Sequence, residues 1–205
     1  MASEEKPLKA SEVEVKVGGE SGSQPVQVKP ITAQPTSARI GSKPTLISRG
    51  NMKFLIMDAP RSANLYLYLK EMKRNNVTSC VRVCEPTYES GDLENAGINL
   101  HEMAYDDGTS PPPSVINSWL DLVEDTFIKK RVGDPTIAVH CVAGLGRAPV
   151  LVAIALIEFA DLDPVMAVDF IRKARRGAIN NRQLNYLEGY KSQRGGIGCA
   201  ACTIS

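Results

Sequence analysis

His140-Cys141-Val142-Ala143-Gly144-Leu145-Gly146-Arg147 places a cysteine and an arginine at the two ends of a short loop that carries two glycines. The run before it, Thr136-Ile137-Ala138-Val139, is apolar and rich in β-branched residues, which predicts a buried strand. The run after it, Pro149 through Phe159, is rich in Ala, Leu and Ile and predicts a buried helix. Pro149 suits a first helical turn, where its missing N–H has no intrahelical partner. The order is therefore strand, loop, helix. A loop at a helix N-terminus aims several backbone N–H groups at one spot, and the helix dipole favours negative charge there. Gly144 and Gly146 let the backbone curl around that spot. The expectation is a cradle for a phosphate, with the Cys141 thiol at its floor.

A thiol is a poor nucleophile until it loses its proton, and a helix N-terminus with an adjacent cation favours the thiolate. Cys141 would then attack phosphorus and form a phosphocysteine. Arg147 offers a planar fork of donors that matches two phosphoryl oxygens. It would also stabilise charge on the group in flight. No metal-ligand cluster is evident, and no metal or cofactor is expected. The bland alternative, a structural cysteine at a strand end, leaves both glycines and Arg147 without a purpose.

The stretch from His140 to Arg147 resembles the signature of cysteine-based protein tyrosine phosphatases. The longer run His140-Cys-Val-Ala-Gly-Leu-Gly-Arg-Ala-Pro-Val-Leu-Val-Ala153 resembles one subfamily, the phosphatases of regenerating liver (PRL), which are small, prenylated and dual-specificity-like. Val81-Arg82-Val83-Cys84-Glu85, Tyr105-Asp106-Asp107-Gly108 and Arg175-Arg176-Gly177-Ala178-Ile179-Asn180 match that subfamily too. The resemblance spans roughly residues 45–193, about three quarters of the chain. It implies an α/β fold, a central, mostly parallel β-sheet flanked by helices. It also implies a protein phosphatase whose phosphate-binding loop runs through Val142, Ala143, Gly144, Leu145 and Gly146 to Arg147, with His140 as an accessory residue.

Other segments agree with an α/β domain. Phe54–Met57, Ser79–Cys84 and Ile98–Met103 read as strands. Asn64 to Asn75 is amphipathic, with Leu65, Leu67, Leu69 and Met72 among charged residues. Ser114 to Lys130 reads as one helix with Val115, Trp119, Leu122 and Val123 at core spacing. Asp163-Pro164 is a helix start and Gly177 a stop for it. About 150 residues suffice for one core.

A leaving alkoxide or phenoxide needs a proton, so a positioned acid should donate it and later act as base toward water. Asp106 and Asp107 stand between Tyr105 and Gly108, ahead of Pro111-Pro112-Pro113. Spacing alone leaves a lid carboxylate and a plain turn equally open. The resemblance implies that Asp107 is the acid and Asp106 an accessory.

Cys80, Arg82 and Cys84 are expected on one strand face at period two, with Val81 and Val83 on the other. The resemblance implies that Cys84 forms a reversible disulfide with Cys141, which protects a reactive thiolate from irreversible oxidation. Glu85 matches an accessory residue beside the pocket. After the arginine, most tyrosine phosphatases carry Ser or Thr, whose hydroxyl helps the intermediate hydrolyse. Here, as in PRL enzymes, the residue is Ala148, and slow release of phosphate is expected. A second class of function follows: a binding protein switched by phosphorylation or oxidation of Cys141. The resemblance implies as partner the CBS-pair domains of a membrane magnesium transporter. A phosphoinositide substrate would call for lysines in the loop; its residues are uncharged, so a phosphoprotein is the expected substrate. Arg172, Lys173, Arg175 and Arg176 read as a solvated helix face, with a lipid-head or partner site as the alternative.

Residues 1–44 are rich in Ser, Pro, Gln, Lys and Glu without an aromatic residue, and disorder is expected there. No signal-peptide core is seen, and Ala2 stands where myristoylation needs glycine. Cys202-Thr203-Ile204-Ser205 fits a prenylation box on a tail from 194 to 205, with Cys199 a palmitoylation candidate. One lipid anchors marginally, and Lys191 and Arg194 are a thin basic supplement. The expected location is the cytoplasmic face of the plasma membrane and endomembranes, with a cytosolic pool. The formal charge is +1; no nucleic-acid partner is expected, and homo-oligomerisation stays open.

Overall fold

The structure is a computed structural model that describes residues 38–130 and 133–194. The leader to residue 37 and the tail from 195, with Cys199 and Cys202, lie outside the described residues. Five strands form one sheet: β1 (Thr45–Arg49), β2 (Met52–Met57), β3 (Val77–Arg82), β4 (Asn99–Glu102) and β5 (Thr136–His140). Their order is β1-β2-β5-β3-β4. Only β1 runs antiparallel to its neighbour; β2, β5, β3 and β4 are mutually parallel. This is the expected central, mostly parallel sheet with helices on both faces.

β5 is central because all five of its residues are buried, as parallel strands covered on both faces must be. One face carries α1 (Leu65–Arg74) and the short α2 (Gly91–Asn95), whose Leu65, Tyr68, Met72 and Leu93 pack on Leu55, Met57, Cys80 and Ala138. The buried stripe of α1 is Leu65, Tyr68 and Met72; the tyrosine takes a place the leucine pattern assigned to Leu67 and Leu69.

The other face carries α3 (Pro113–Glu124), α4 (Arg147–Phe159), α5 (Pro164–Ala174) and α6 (Asn181–Glu188). The expected single helix from Ser114 to Lys130 instead changes at Asp125 to a π-helical turn, Asp125–Lys129. That turn brings Phe127 edge-on to Phe54, which also meets Trp119. Trp119 donates its indole N–H to the Leu151 carbonyl at 2.7 Å, so α3 is locked to α4. Eleven of the thirteen α4 residues are buried, so the helix is core on nearly every side and its N-terminus has a fixed position.

The C-terminal end is pinned by Glu158, fully buried in α4. Its carboxylate accepts from Tyr190 Oη, Ser192 Oγ and the amides of Gln193 and Arg194. Those donors outweigh desolvation and hold its pKa below the usual carboxylate range. Asp163 caps α5 through Met166 N at 2.9 Å, as its sequence signal predicts. α5 ends at Ala174, before the expected stop at Gly177.

Candidate active site

The loop from Cys141 to Gly146 leaves the C-terminal end of β5 and enters α4 at Arg147. Its carbonyls are engaged from outside. Val142 O accepts from Ala59 N at 3.1 Å and Leu145 O from Ile179 N at 2.8 Å. Gly144 O accepts from Arg175 Nε at 2.7 Å, and Ala143 O from Arg175 Nη2 at 3.3 Å. Among the described residues, no acceptor is recorded for the backbone amides of residues 142–147. With four successive carbonyls drawn outward, the amides are free to converge on an anion at the head of α4.

Gly144 has φ +67, and a Cβ there would stand 2.3 Å from Met57 O. The loop thus lies against the end of β2 too closely for any side chain. A Cβ on Gly146 would stand 3.0 Å from Gln183 Nε2, at the start of α6. Gln183 is fixed by a capping box with Asn180. Val142 and Leu145 are exposed at the loop surface.

Cys141 is buried, at 3 % exposure, and its thiol is free. Arg147, the first residue of α4, is also buried. Its Nη1 donates to Val83 O at 3.2 Å and to Tyr105 O at 2.9 Å. Tyr105 in turn donates its hydroxyl to Arg147 O at 3.1 Å. One edge of the guanidinium is therefore spent on the scaffold. Nε is buried without a hydrogen-bond partner, and Asp107 Oδ1 lies 3.4 Å from it. Asp107 is an exposed residue on the loop before α3 and also accepts from Gly108 N at 3.0 Å. Asp106 uses its carbonyl to hold Thr109 in the same turn. The structure thus gathers Cys141, Arg147 and Asp107 in one place. Ala148 is fully buried behind them with no hydroxyl to offer.

His140 is fully buried below the loop. Its Nε2 lies 2.7 Å from the Tyr88 hydroxyl, and its Nδ1 4.0 Å from Cys84 Sγ. Burial, aided by the Arg82 charge, lowers its pKa to about 3, so the imidazole is neutral at physiological pH. Arg82 lies over the Tyr88 ring at 4.6 Å, donates to Tyr88 O at 2.7 Å and pairs with Glu102. Tyr88 carries no sequence motif; Arg82, a charged residue in a predicted strand and within the stretch that matches the subfamily, was the one signal for such a network.

Two expectations are corrected. Cys84 does not share a face with Cys80, because β3 ends at Arg82 and the period-two rule ends with it. Cys80 packs on the α1 side, its thiol 3.9 Å from Tyr88 Oη, while Cys84 joins Val81, Val83 and Cys141 in the opposite core. Burial raises the Cys84 pKa against the opposing pull of the Arg147 charge. Glu85 is exposed beside it. The second correction concerns the basic cluster. Lys173 and Arg176 are exposed, but Arg175 is buried behind the loop and Arg172 donates to Ala178 O and Ile179 O. The helix ends at Ala174, so Arg175 turns inward instead of continuing a solvated face.

A dual-specificity phosphatase model, described as a phosphatase of polymorphic toxin systems, matches residues 57–161. The PRL-1 phosphatase of Drosophila melanogaster is 49 % identical over 148 residues, covering 72 % of this chain and 82 % of that protein. Human protein tyrosine phosphatase type IVA 3 is 46 % identical over 151 residues, covering 74 % of this chain and 86 % of its own length. A solved Leishmania major protein tyrosine phosphatase superposes with TM-score 0.67 at 42 % identity, covering 73 % of this chain and 99 % of that one. A buried cysteine and arginine framing an amide-lined loop, on a sheet and in a sequence shared with these enzymes, identify the chain as a member of the PRL, or type IVA, family of protein tyrosine phosphatases.

Proposed function

We propose that this phosphatase hydrolyses phosphate monoesters on proteins through a phosphocysteine on Cys141. The observation that carries this reading is the division of Arg147: Nη1 is tied to Val83 O and Tyr105 O, while buried Nε has no hydrogen-bond partner and only Asp107 Oδ1 near it, at 3.4 Å. In the first step the Cys141 thiolate attacks phosphorus. The phosphoryl oxygens take the loop amides and the free edge of Arg147. The P–O bond to the leaving group breaks, and Asp107 supplies the proton. A phosphoryl group on Arg147 replaces the Asp107 contact, which releases that carboxylate for acid work. In the second step Asp107 takes a proton from water, which attacks phosphorus and frees the thiolate. Ala148 cannot donate to the departing sulfur, so this step is the slower one.

An aryl phosphate, followed with reduced protein through the pre-steady state, tests the scheme. A burst near one equivalent followed by a slow steady rate is expected, and neither phase in Cys141→Ser. Steady turnover surviving in Cys141→Ser would remove the phosphocysteine. On alkyl phosphates, whose leaving groups need the proton most, Asp107→Asn should be slowed far more than Asp106→Asn; equal losses would take the acid role from Asp107.

The fully buried, hydroxyl-free Ala148 also favours a second reading. If the phosphocysteine persists, the loop surface with exposed Val142 and Leu145 becomes a phosphate- and redox-gated docking site for a partner such as the CBS-pair domain of a magnesium transporter. A burst with no steady phase would favour it.

Redox control rests on Cys84 lying in the same packed core as Cys141. Peroxide would oxidise the Cys141 thiolate to a sulfenic acid; the Cys84 thiol then attacks that sulfur, water leaves, and the disulfide forms. Peptide mapping after mild peroxide should find the Cys84–Cys141 link, and over-oxidised Cys141 in Cys84→Ser. Over-oxidised Cys141 in the unaltered protein, with no link, would reject the brake.

Attachment to membranes would rest on prenylation of Cys202, with Cys199 as a second lipid site. Arg194 offers no electrostatic help, because Asp121 and Glu124 hold it at 2.6 Å each.

A further inference from the structure

Arg175 has no part in the chemistry described above, yet it makes more hydrogen bonds than any group in the site. Its side chain reaches in two directions. Toward the loop, Nε donates to Gly144 O at 2.7 Å and Nη2 to Ala143 O at 3.3 Å. Toward the N-terminal side, Nη2 donates to Ser42 Oγ at 3.0 Å, and Nη1 to Thr45 Oγ1 at 3.0 Å and Lys43 O at 3.1 Å. The guanidinium is a plate whose donors are shared between the back of the phosphate loop and one short piece of chain.

That piece is itself held. Ser42 N donates to Asp58 Oδ2 at 3.0 Å, Tyr68 Oη to Asp58 Oδ1 at 2.8 Å, and Gly41 N to Tyr68 Oη at 3.2 Å. Asp58 follows β2 directly, and Ala59 beside it donates to the loop at Val142 O. Residues 41–45 therefore form a strap across the back of the loop, anchored on Asp58 and Tyr68 and bridged to the loop by Arg175. The boundary expected at residue 45 runs through the strap, since Gly41, Ser42 and Lys43 all take part.

We propose that Arg175 is a positioning residue for phosphoryl transfer, and that the Gly41–Thr45 strap sets its grip on the loop. The inference rests on the phosphocysteine reading of Cys141. Peptide planes are rigid, so turning the Ala143 and Gly144 carbonyls outward turns the amides of Gly144 and Leu145 inward, toward the oxyanion. Without Arg175 the two carbonyls lose their donors and the planes are free to rotate. The amide cradle then loses its preorganisation, which is the property that stabilises charge in transfer. Because the strap supplies three acceptors to the same guanidinium, any change that pulls residues 41–45 away alters the geometry of a loop 100 residues further along the chain.

The test uses the full reduced chain and two readouts that do not depend on each other: tungstate affinity by calorimetry, and the burst rate with an aryl phosphate. Arg175→Met is expected to weaken both by about 10- to 100-fold, the scale set by small misplacements of a site. Arg175→Lys, with its charge but not its fork, should recover only part of this. Ser42→Ala combined with Thr45→Val should weaken both a few-fold, as loss of neutral hydrogen bonds does, and should have no further effect in the Arg175→Met background. Lys173→Ala, exposed two residues away, is the control and should change neither.

A merely structural arginine would lower the melting temperature while the folded protein kept its tungstate affinity and burst rate; that result overturns the proposal. Additive effects of the strap and Arg175 substitutions overturn the strap's route through Arg175. If Arg175→Met does not fold, the strap variant decides, and unchanged tungstate affinity there is the refuting result. Turnover surviving in Cys141→Ser would instead refute the phosphocysteine, a distinct outcome, since tungstate affinity would still report on the cradle.

Discussion

Gly144→Ala is expected to lower the melting temperature and to cut kcat/KM by about 100-fold or more, the scale of a misplaced catalytic loop. Two effects combine at this position. At φ +67 an alanine carries a left-handed strain of about 1–2 kcal/mol. Its Cβ would also stand 2.3 Å from Met57 O and 2.6 Å from Arg175 Nη2. Met57 O belongs to the end of β2, which is paired with β5 on its other side and cannot retreat. The loop must move instead, and the amides that face the phosphate move with it. Gly177→Ala separates the two effects: φ is +80 there, but a Cβ would meet nothing within 4 Å. That variant should pay the strain and keep the activity. Thermal unfolding and single-turnover kinetics on both would check this; full activity in Gly144→Ala would show that the loop tolerates displacement from β2.

Arg147→Lys should lower the rate of phosphocysteine formation by about 10³-fold, the upper range for loss of a preorganised donor, with a much smaller effect on stability. The conserved charge does not rescue it, because the arginine works in two directions at once. Nη1 bonds to Val83 O and Tyr105 O, and Nε with the remaining edge faces the site. A lysine has three donors at one point. It can satisfy the scaffold carbonyls or reach the phosphoryl oxygens, but not both. Rapid-quench measurement of the first turnover reads this directly. A loss confined to KM would mean that Arg147 binds the ground state and transition state equally.

The strand-loop-helix unit was legible because all of its signals are local. β5 is a continuous apolar run, α4 is apolar on nearly every side, and the glycines and terminal Arg147 lie within eight residues. The α/β class followed from the alternation of strands and helices, and the mostly parallel sheet from the family resemblance. Elements that bury little left no such signal. β1 buries only Ile47, and α2 only Leu93 in five residues, too little for either periodicity to register. α6 was marked by its Asn180 and Gln183 capping box, a pattern of polar residues that an apolar-periodicity reading passes over. The face assigned to Cys84 failed for a related reason: alternation holds only inside a strand, and where β3 stops is decided by pairing with β4 and β5.

Amino-acid order along the chain was thus sufficient for the candidate nucleophile's strand-loop-helix unit and the layers around it, because strand, helix and turn preferences act over a few neighbouring residues. It could not show that the Arg147 guanidinium is divided between Val83, Tyr105 and Asp107, or that His140 is neutral against Tyr88 and Cys84. Nor could it place Arg175, whose partners lie 31 residues away at Gly144 and 133 away at Ser42. In the sequence that arginine is one of four cations near a helix end. Only the fold turns it inward, because α5 ends at Ala174 and the loop carbonyls, buried and in need of donors, lie where the next side chain enters.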